Sequence, residues 1–310
     1  MNLFLMLTRY KHKHVTWIDL ESPTSEEVRG LLEEFKLPEN VAEELLMPTM
    51  RPRVEFHGGD LIYLILHFPA FRHTHAGEQN QEVDFVIGKN FLITTRYDTI
   101  DPLHKFSKVF EVNSILGHSD IGEHAGHLFF HMIRKLYKSL EHELEYMSDA
   151  LRECEERIFS GHERAMVREI SKVSRELINF KQAVRMHREV LGSFEIAARK
   201  FFGDDFGYEI RSIIGDYYRI EGGIAINSET LQELRETNNS LVSTKQNETI
   251  QVLTIMTFIT APLALIGTLF GMNTTMTPIA GHPYDFWIIL GIMAAAAVFL
   301  LSYFAYKKWI

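Results

Sequence analysis

The sequence holds one cysteine, Cys154, so no internal disulfide can form and the chain suits a reducing compartment. It has no Gly-Lys-Ser or Gly-Lys-Thr phosphate loop, so no motif points to work driven by a nucleotide. Basic residues are outnumbered: the net charge is -9 and the pI near 5.9, which argues against nucleic acid as a partner, since that calls for a basic face. No catalytic constellation stands out, because Cys154 lies in a charged stretch without an obvious base, and an enzyme is not expected. Proline is absent between Pro102 and Pro262, which permits long helices. Lys and Arg are absent from 246 to 306, and that gap marks the part of the chain around which the rest is organised.

Within the gap lie two apolar runs, 250–270 and 286–306, each close to the ~20 residues an α-helix needs to cross hydrocarbon. Buried core helices are the alternative reading. Tyr284 and Trp287 flank the pair at one end, and Tyr303, Tyr306 and Trp309 at the other, as aromatic belts do. Lys245 precedes the first run and Lys307 and Lys308 follow the second, so both ends of the hairpin are expected on the cytoplasmic side of an inner (plasma) membrane. The first span then runs outward, and its C-terminal carbonyls, at the negative end of the helix dipole, face the outside, where they attract cations.

Two spans per chain cannot wall a polar path, so ion passage requires an oligomer. Along the first span Asn247, Ile250, Leu253, Thr257, Ala261, Ala264, Thr268 and Gly271 recur at helical spacings and form a face that is small or hydroxylic apart from Ile250 and Leu253. Such a face serves tight helix packing, a narrow wet pore, or both in a ring of identical helices. It carries no carboxylate or thiolate. That favours Mg2+, which loses water reluctantly and can be held hydrated by amide and carbonyl oxygens. A ring of Ile250 and Leu253 would be a hydrophobic constriction.

At the outer end the chain reads Gly271-Met272-Asn273, followed by a short loop, a second span and the ending Lys307-Lys308-Trp309-Ile310. Here the sequence resembles the CorA magnesium transporters, whose signature is Gly-Met-Asn at the outer end of the first of two C-terminal membrane helices. The stretch from Phe85 to Thr94, reading through Gly88-Lys89-Asn90, is also similar to the soluble domain of that family. The resemblance implies a homopentameric, funnel-shaped channel. In it Gly271, Met272 and Asn273 form the external filter, Asn247 makes a polar ring near the cytoplasm, and the residues between line the pore. It also implies uptake of Mg2+, with Co2+ and Ni2+ as further cargo, and gating by cytosolic Mg2+. Asp84 and Asp216 are the candidates for the regulatory metal. The pattern departs from the family in two ways: residues 273–284 contain no acidic residue, and Ser212 stands where a regulatory aspartate is expected.

The fold class expected is an α+β cytoplasmic domain, then a long stalk helix and the two transmembrane helices. The domains read as 1–122, an α/β domain; 123–203, a helical hairpin; 204–249, the cytoplasmic stalk; 250–270 and 286–306, the spans; 271–285, the outer loop; and 307–310, a basic tail. In the first, residues 1–7 and 15–20 read as strands. Thr24 with Glu27 reads as a capping box for a helix over 25–35, Pro38 opens a short helix, and Gly58-Gly59-Asp60 and Gly88-Lys89-Asn90 are hairpin turns within a mostly antiparallel sheet. Two long charged helices follow, to about 159 and from 163 to about 201, broken at Gly161, with an acidic side that includes Glu141, Glu145, Asp149 and Glu153. From 205 a helix of about 100 Å runs into the first span. Ile210, Tyr217, Ile224 and Leu231, with Ile213, Ile220, Leu234 and Leu241, keep a seven-residue beat filled in by Asn227 and Asn238, a coiled-coil seam expected to drive oligomerisation.

Two other functions compete. Asp120, His124, His127 and His131 share a helical face with spacing suited to Zn2+, so a zinc transporter of the related ZntB branch is one; His12, His14, His73 and His75 are further polar clusters. The other is a membrane-anchored scaffold without transport.

Overall fold

The structure, a computed structural model, describes residues 7–49, 51–70, 80–116, 122–272, 283–307 and 309. It divides into two compact units, Met1–Arg235 and Glu236–Ile310.

The first unit contains strands β1 (Leu7–His12), β2 (Val15–Glu21), β3 (Arg53–His57), β4 (Leu61–Phe68), β5 (Gln81–Ile87) and β6 (Phe91–Arg96). They form one sheet in the order β1-β2-β6-β5-β4-β3, antiparallel except where β2 runs parallel to β6. The hairpins fall at their glycines. Gly58 and Gly59 both have positive φ, and at Gly88 a Cβ would lie 2.2 Å from the Phe91 ring, so only glycine closes that turn. Strands β4 and β5 are buried on both faces, which explains the unbroken apolar run Leu61–Leu66 in place of alternation; β5 buries Gln81, Glu82 and Asp84 along with its apolar residues.

One face is covered by α1 (Ser25–Phe35) and α2 (Glu39–Glu44), whose Val28, Leu31, Val41 and Leu45 pack with Ile18, Leu20, Tyr63 and Val86. The capping box is formed: Thr24 accepts from the Glu27 N–H and Glu27 accepts from the Thr24 N–H, an arrangement that contributes about 1 kcal/mol. The other face meets α3 (Asp101–Leu116) and α4 (Ala125–Phe159). Phe85 stands edge-on to Phe129 at 5.1 Å, and Trp17 packs against Phe106 and Phe110. Neither β1 nor α3 is among the expected elements; of the strand expected over 1–7, residues 1–6 lie outside the described residues.

After Gly161, whose positive φ allows the reversal, α5 (Glu163–Val184) returns antiparallel to α4. The single helix expected from 163 to about 201 is in fact two, because α6 (His187–Phe202) starts anew after Arg185 and Met186. The neighbours change across the break: α5 packs on α4 and β4, whereas α6 packs on β3 and β4. His187 anchors the new start. Fully buried, it takes the Tyr137 hydroxyl at Nδ1 (2.7 Å) and gives Nε2–H to the His67 carbonyl (2.7 Å), which fixes the neutral tautomer. Burial holds its pKa down at about 4.

Helix α7 (Asp204–Phe270) passes through Gly222-Gly223 without interruption. The seven-residue seam on its cytosolic part is real, but the chain itself covers it. Ile210, Ile213, Tyr217, Ile220, Ile224, Leu231 and Leu234 are all buried within this one subunit. Asn227 donates to the Leu144 carbonyl of α4 (3.1 Å), and a Cβ at Gly223 would lie 3.0 Å from the Leu144 side chain. These seam residues therefore hold the helix to its own domain, while Leu241, the last of the seam, is only half-buried.

The second unit comprises the last part of α7 and α8 (Asp285–Tyr306). Both are long and apolar enough to cross a membrane, and almost none of either apolar window is buried. A core helix of a soluble domain would be mostly buried, so that alternative fails.

Candidate ion pathway

From residue 250 onward, the residues of reduced exposure on α7 are Thr254, Ile255, Ile259, Pro262, Leu263, Ile266 and Phe270; on α8 they are Asp285, Ile289, Met293, Ala296, Ala297, Leu300 and Phe304. Each set follows helical spacing, so these are the faces the pair turns toward each other. Phe258 and Phe304 lie 6.4 Å apart, and Gln251 donates to the Trp309 carbonyl (3.0 Å), which ties the chain's end to the start of the first span.

The face read from sequence lies elsewhere. Ile250, Leu253, Thr257, Ala261, Ala264, Thr268 and Gly271 are all exposed, as is Asn247 before them. At about 100° per residue their mean direction is roughly opposite to the set packed on α8. One chain thus satisfies one side of the span and leaves open the side that is small and hydroxylic. Thr257 donates its hydroxyl to the Leu253 carbonyl and Thr268 to the Leu265 carbonyl, both at 2.9 Å. With the proton spent on the backbone, each threonine oxygen presents only acceptor lone pairs outward, which suits a cation or the water around it.

The helix ends at Phe270. Gly271 continues the ladder through its N–H to the Gly267 carbonyl (2.9 Å), and a Cβ there would press to 3.1 Å on that same oxygen. Glycine is thus the residue that leaves the terminal carbonyls uncovered. Met272 is exposed; Asn273 lies outside the described residues.

The two aspartates expected from the sequence to hold a regulatory metal are engaged within the chain. Asp84 is fully buried between Ile65 and Thr95 in the sheet, and one of its oxygens accepts from Tyr63 (3.1 Å) and Tyr97 (3.2 Å). Burial, and after it the neighbouring Glu82, raises its pKa well above the carboxylate range. Asp216 pairs with Arg219 and, at 3.5 Å, with Arg134. Sequence spacing gave no sign of these tyrosines and arginines.

The histidine reading meets a different geometry. His124 stacks on His127 (3.9 Å) and on Phe202 (4.3 Å), and His127 faces Glu209 at 3.4 Å, while His131 lies edge-on to Phe130. Stacked rings send their in-plane lone pairs along parallel lines, not to one metal. Burial, followed by the charge of His127, lowers the His124 pKa to about 4. Among the described residues no three His, Cys, Asp or Glu side chains converge to hold a metal, and Asp120 lies outside them. His12 is buried against Phe110, and His73 and His75 lie outside the described residues. The acidic side of α4 is partly neutralised, Glu141 by Arg219, Asp149 by Arg152 and Glu153 by Arg157.

The family model for the CorA-like Mg2+ transporter protein matches residues 12–308. The cobalt/magnesium transport protein CorA of Methanocaldococcus jannaschii is 22% identical over 301 residues, which covers 97% of this chain and 93% of that one. Its namesake in Thermotoga maritima is 24% identical, covering 95% and 83%. The solved complete structure of the Methanocaldococcus jannaschii CorA magnesium transporter superposes with a TM-score of 0.82 over the same 97% and 93%. The ZntB cytoplasmic domain from Vibrio parahaemolyticus does so at 0.61, with 15% identity, over 79% of this chain and 96% of that one.

Proposed function

The chain belongs to the family of CorA-like Mg2+ transporter proteins, which are transporters and not enzymes, and from that premise we propose that it admits Mg2+ and Co2+ across the inner membrane as a homopentamer. The observation that carries this reading is the face of α7 from Asn247 to Gly271, small and hydroxylic, open in the single chain and opposite the face packed on α8. In a ring of subunits these faces enclose the axis. Gly271, Met272 and Asn273 then form the outer filter, where amide and terminal carbonyl oxygens hydrogen-bond to the ion's water shell without stripping it. Thr268 and Thr257 offer acceptor oxygens further in. Ile250 and Leu253 make the inner constriction that closes by dewetting, with Asn247 as the polar ring below it.

A divalent ion entering down 100 mV gains about 4.6 kcal/mol, twice the single-charge value, so inward movement needs no nucleotide. Both termini are cytoplasmic in this reading, and the bilayer is the partner of the outward face of α8. Cytosolic Mg2+ is the closing signal. Of the two aspartates, Asp216 is the one a cation reaches, by displacing both Arg134, from an ion pair already long at 3.5 Å, and the exposed Arg219. Asp84, fully buried under two tyrosines, must first be uncovered.

The test is divalent uptake by proteoliposomes under an inside-negative potential, with Mg2+, Co2+ and Zn2+ offered separately. Potential-driven Mg2+ entry is expected, and Asn273→Ala should abolish it while the elution volume in detergent stays unchanged. Unaltered flux in that variant removes the filter assignment. Zinc entry without Mg2+ would overturn the ion assignment, and no flux of any ion would favour the anchored scaffold.

A further inference from the structure

The last turn of α5 and the cytosolic part of α7 leave between them a groove with a cavity of about 220 Å³, which shares no residue with the ion pathway. Its floor is apolar and buried: Val184 of α5, with Tyr217 and Ile224 of α7, each at most 5% exposed. The exposed Lys181 and Arg185 stand on one rim, a turn apart; on the other are Glu221 and Ala225.

Like several other cations of the helical layer, among them Lys172 and Arg175, those on this rim are not matched by a carboxylate among the described residues. Arg134, Arg199, Arg211 and Arg219 each hold a carboxylate, whereas neither Lys181 nor Arg185 has an ion-pair partner among the described residues. The one carboxylate lining the groove, Glu221, faces the Tyr217 hydroxyl at 3.5 Å. Arg188 adds a third cation at the same end, lying 5.7 Å over the ring of Tyr218. In a chain of net charge -9 this is a local excess of positive charge. Cations near a helix C-terminus are ordinary in themselves, since they complement the dipole. Here, however, they overhang an apolar-floored space with room for about seven waters at about 30 Å³ each.

We propose that this groove binds a small organic anion, a carboxylate or phosphate head gripped by Arg185 and Lys181, with a short apolar body lying on Val184, Tyr217 and Ile224. The guanidinium of Arg185 suits a two-point grip on either head, and Lys181 supplies a movable point charge. The space over the floor admits a single ring or a short chain. Because an occupant touches both α5 and α7, it bridges two helices of one domain, and binding is independent of whether the protein moves Mg2+.

Calorimetric titration of the purified full-length protein with benzoate, phenyl phosphate and inorganic phosphate tests this. At least one of the two organic anions should saturate one site per chain with a Kd on the order of 0.1–1 mM, as expected for a ligand of this size. Whichever binds tighter identifies the head. Inorganic phosphate, which lacks the apolar body, should bind at least tenfold more weakly than phenyl phosphate. Lys181→Glu with Arg185→Glu should weaken the organic anion at least tenfold. Ala225→Trp, which fills the groove without altering charge, should do the same and serves where the double variant misfolds. Absence of saturable binding by both organic anions, binding unchanged in Ala225→Trp, or phosphate binding as tightly as phenyl phosphate overturns the proposal.

Discussion

Two stretches of α7 follow the same helical rule and end in opposite states. Between 210 and 234 the seam positions are covered: Ile213 and Ile220 are 0% exposed. Between 250 and 271 a face of similar regularity is bare, with Ile250 at 59% and Leu253 at 58%. The first stretch has found its partner in the same chain, on α4, and so contributes to the folding of the subunit. The second has α8 on one side only, and its open side is the one whose residues are small enough for close approach and polar enough for water. Periodicity in a sequence says that a face is covered; it does not say by what. The distinction appears only when the coverage inside one chain is known.

The sharpest way to break this comparison is to make the same change in both stretches. Ile220→Asn puts an amide where no water reaches and removes packing volume, a loss of about 3–5 kcal/mol. Loss of most folded protein is expected, read as aggregation on gel filtration and loss of the cooperative melt. Leu253→Asn should leave the fold and the elution volume intact and instead wet the constriction, so that Mg2+ flux persists at cytosolic Mg2+ levels that close the unaltered protein. If both variants fold alike, the seam is less essential to the subunit than its burial indicates. If Leu253→Asn alone fails to fold, the open face is a packing surface and not a pore wall.

How much of this was legible follows from the same distinction. The Thr24–Glu27 box, the hairpin turns and the two spans rest on local chemistry, and each stands where the sequence put it. The break between α5 and α6 has no glycine or proline to announce it. It depends on His187 meeting Tyr137, fifty positions earlier, and the His67 carbonyl, 120 positions earlier. The aspartates meet the same limit: spacing can nominate Asp84 and Asp216, but only the fold shows that two tyrosines hold one and two arginines the other.

His187 offers a test of intermediate size on the covered side of the comparison. Its pKa falls from 6.5 to about 4 on folding, chiefly by burial. The neutral form is the folded form, so between these values the unfolded chain binds the extra proton. The stabilisation is therefore full above pH 6.5 and is lost progressively down to pH 4, about 3 kcal/mol in all at 1.36 kcal/mol per unit. The thermal midpoint of the full-length protein should drop across that window. His187→Gln should lower it at pH 7, since a buried hydrogen-bond arrangement is disturbed, and should flatten the drop. An equally steep drop in the variant would assign the acid sensitivity to other groups, such as His124.

The smallest effect separates two adjacent glycines. Both lie inside α7, where alanine is favoured over glycine by about 1 kcal/mol. At Gly223 that gain is opposed, because the new Cβ meets the Leu144 side chain at 3.0 Å on the covered seam. At Gly222 nothing lies within 4 Å, since this position points away from the subunit. Gly222→Ala should therefore raise the thermal midpoint by a few degrees, while Gly223→Ala should leave it unchanged or lower it, since Leu144 must yield by a few tenths of an ångström. The comparison is then carried to the assembled protein by cross-linking. If Gly222→Ala stabilises the subunit yet reduces cross-linked oligomer, the exposed side of the cytosolic stretch is itself a close contact between chains, and α7 is covered on one side by its own domain and on the other by its neighbour's.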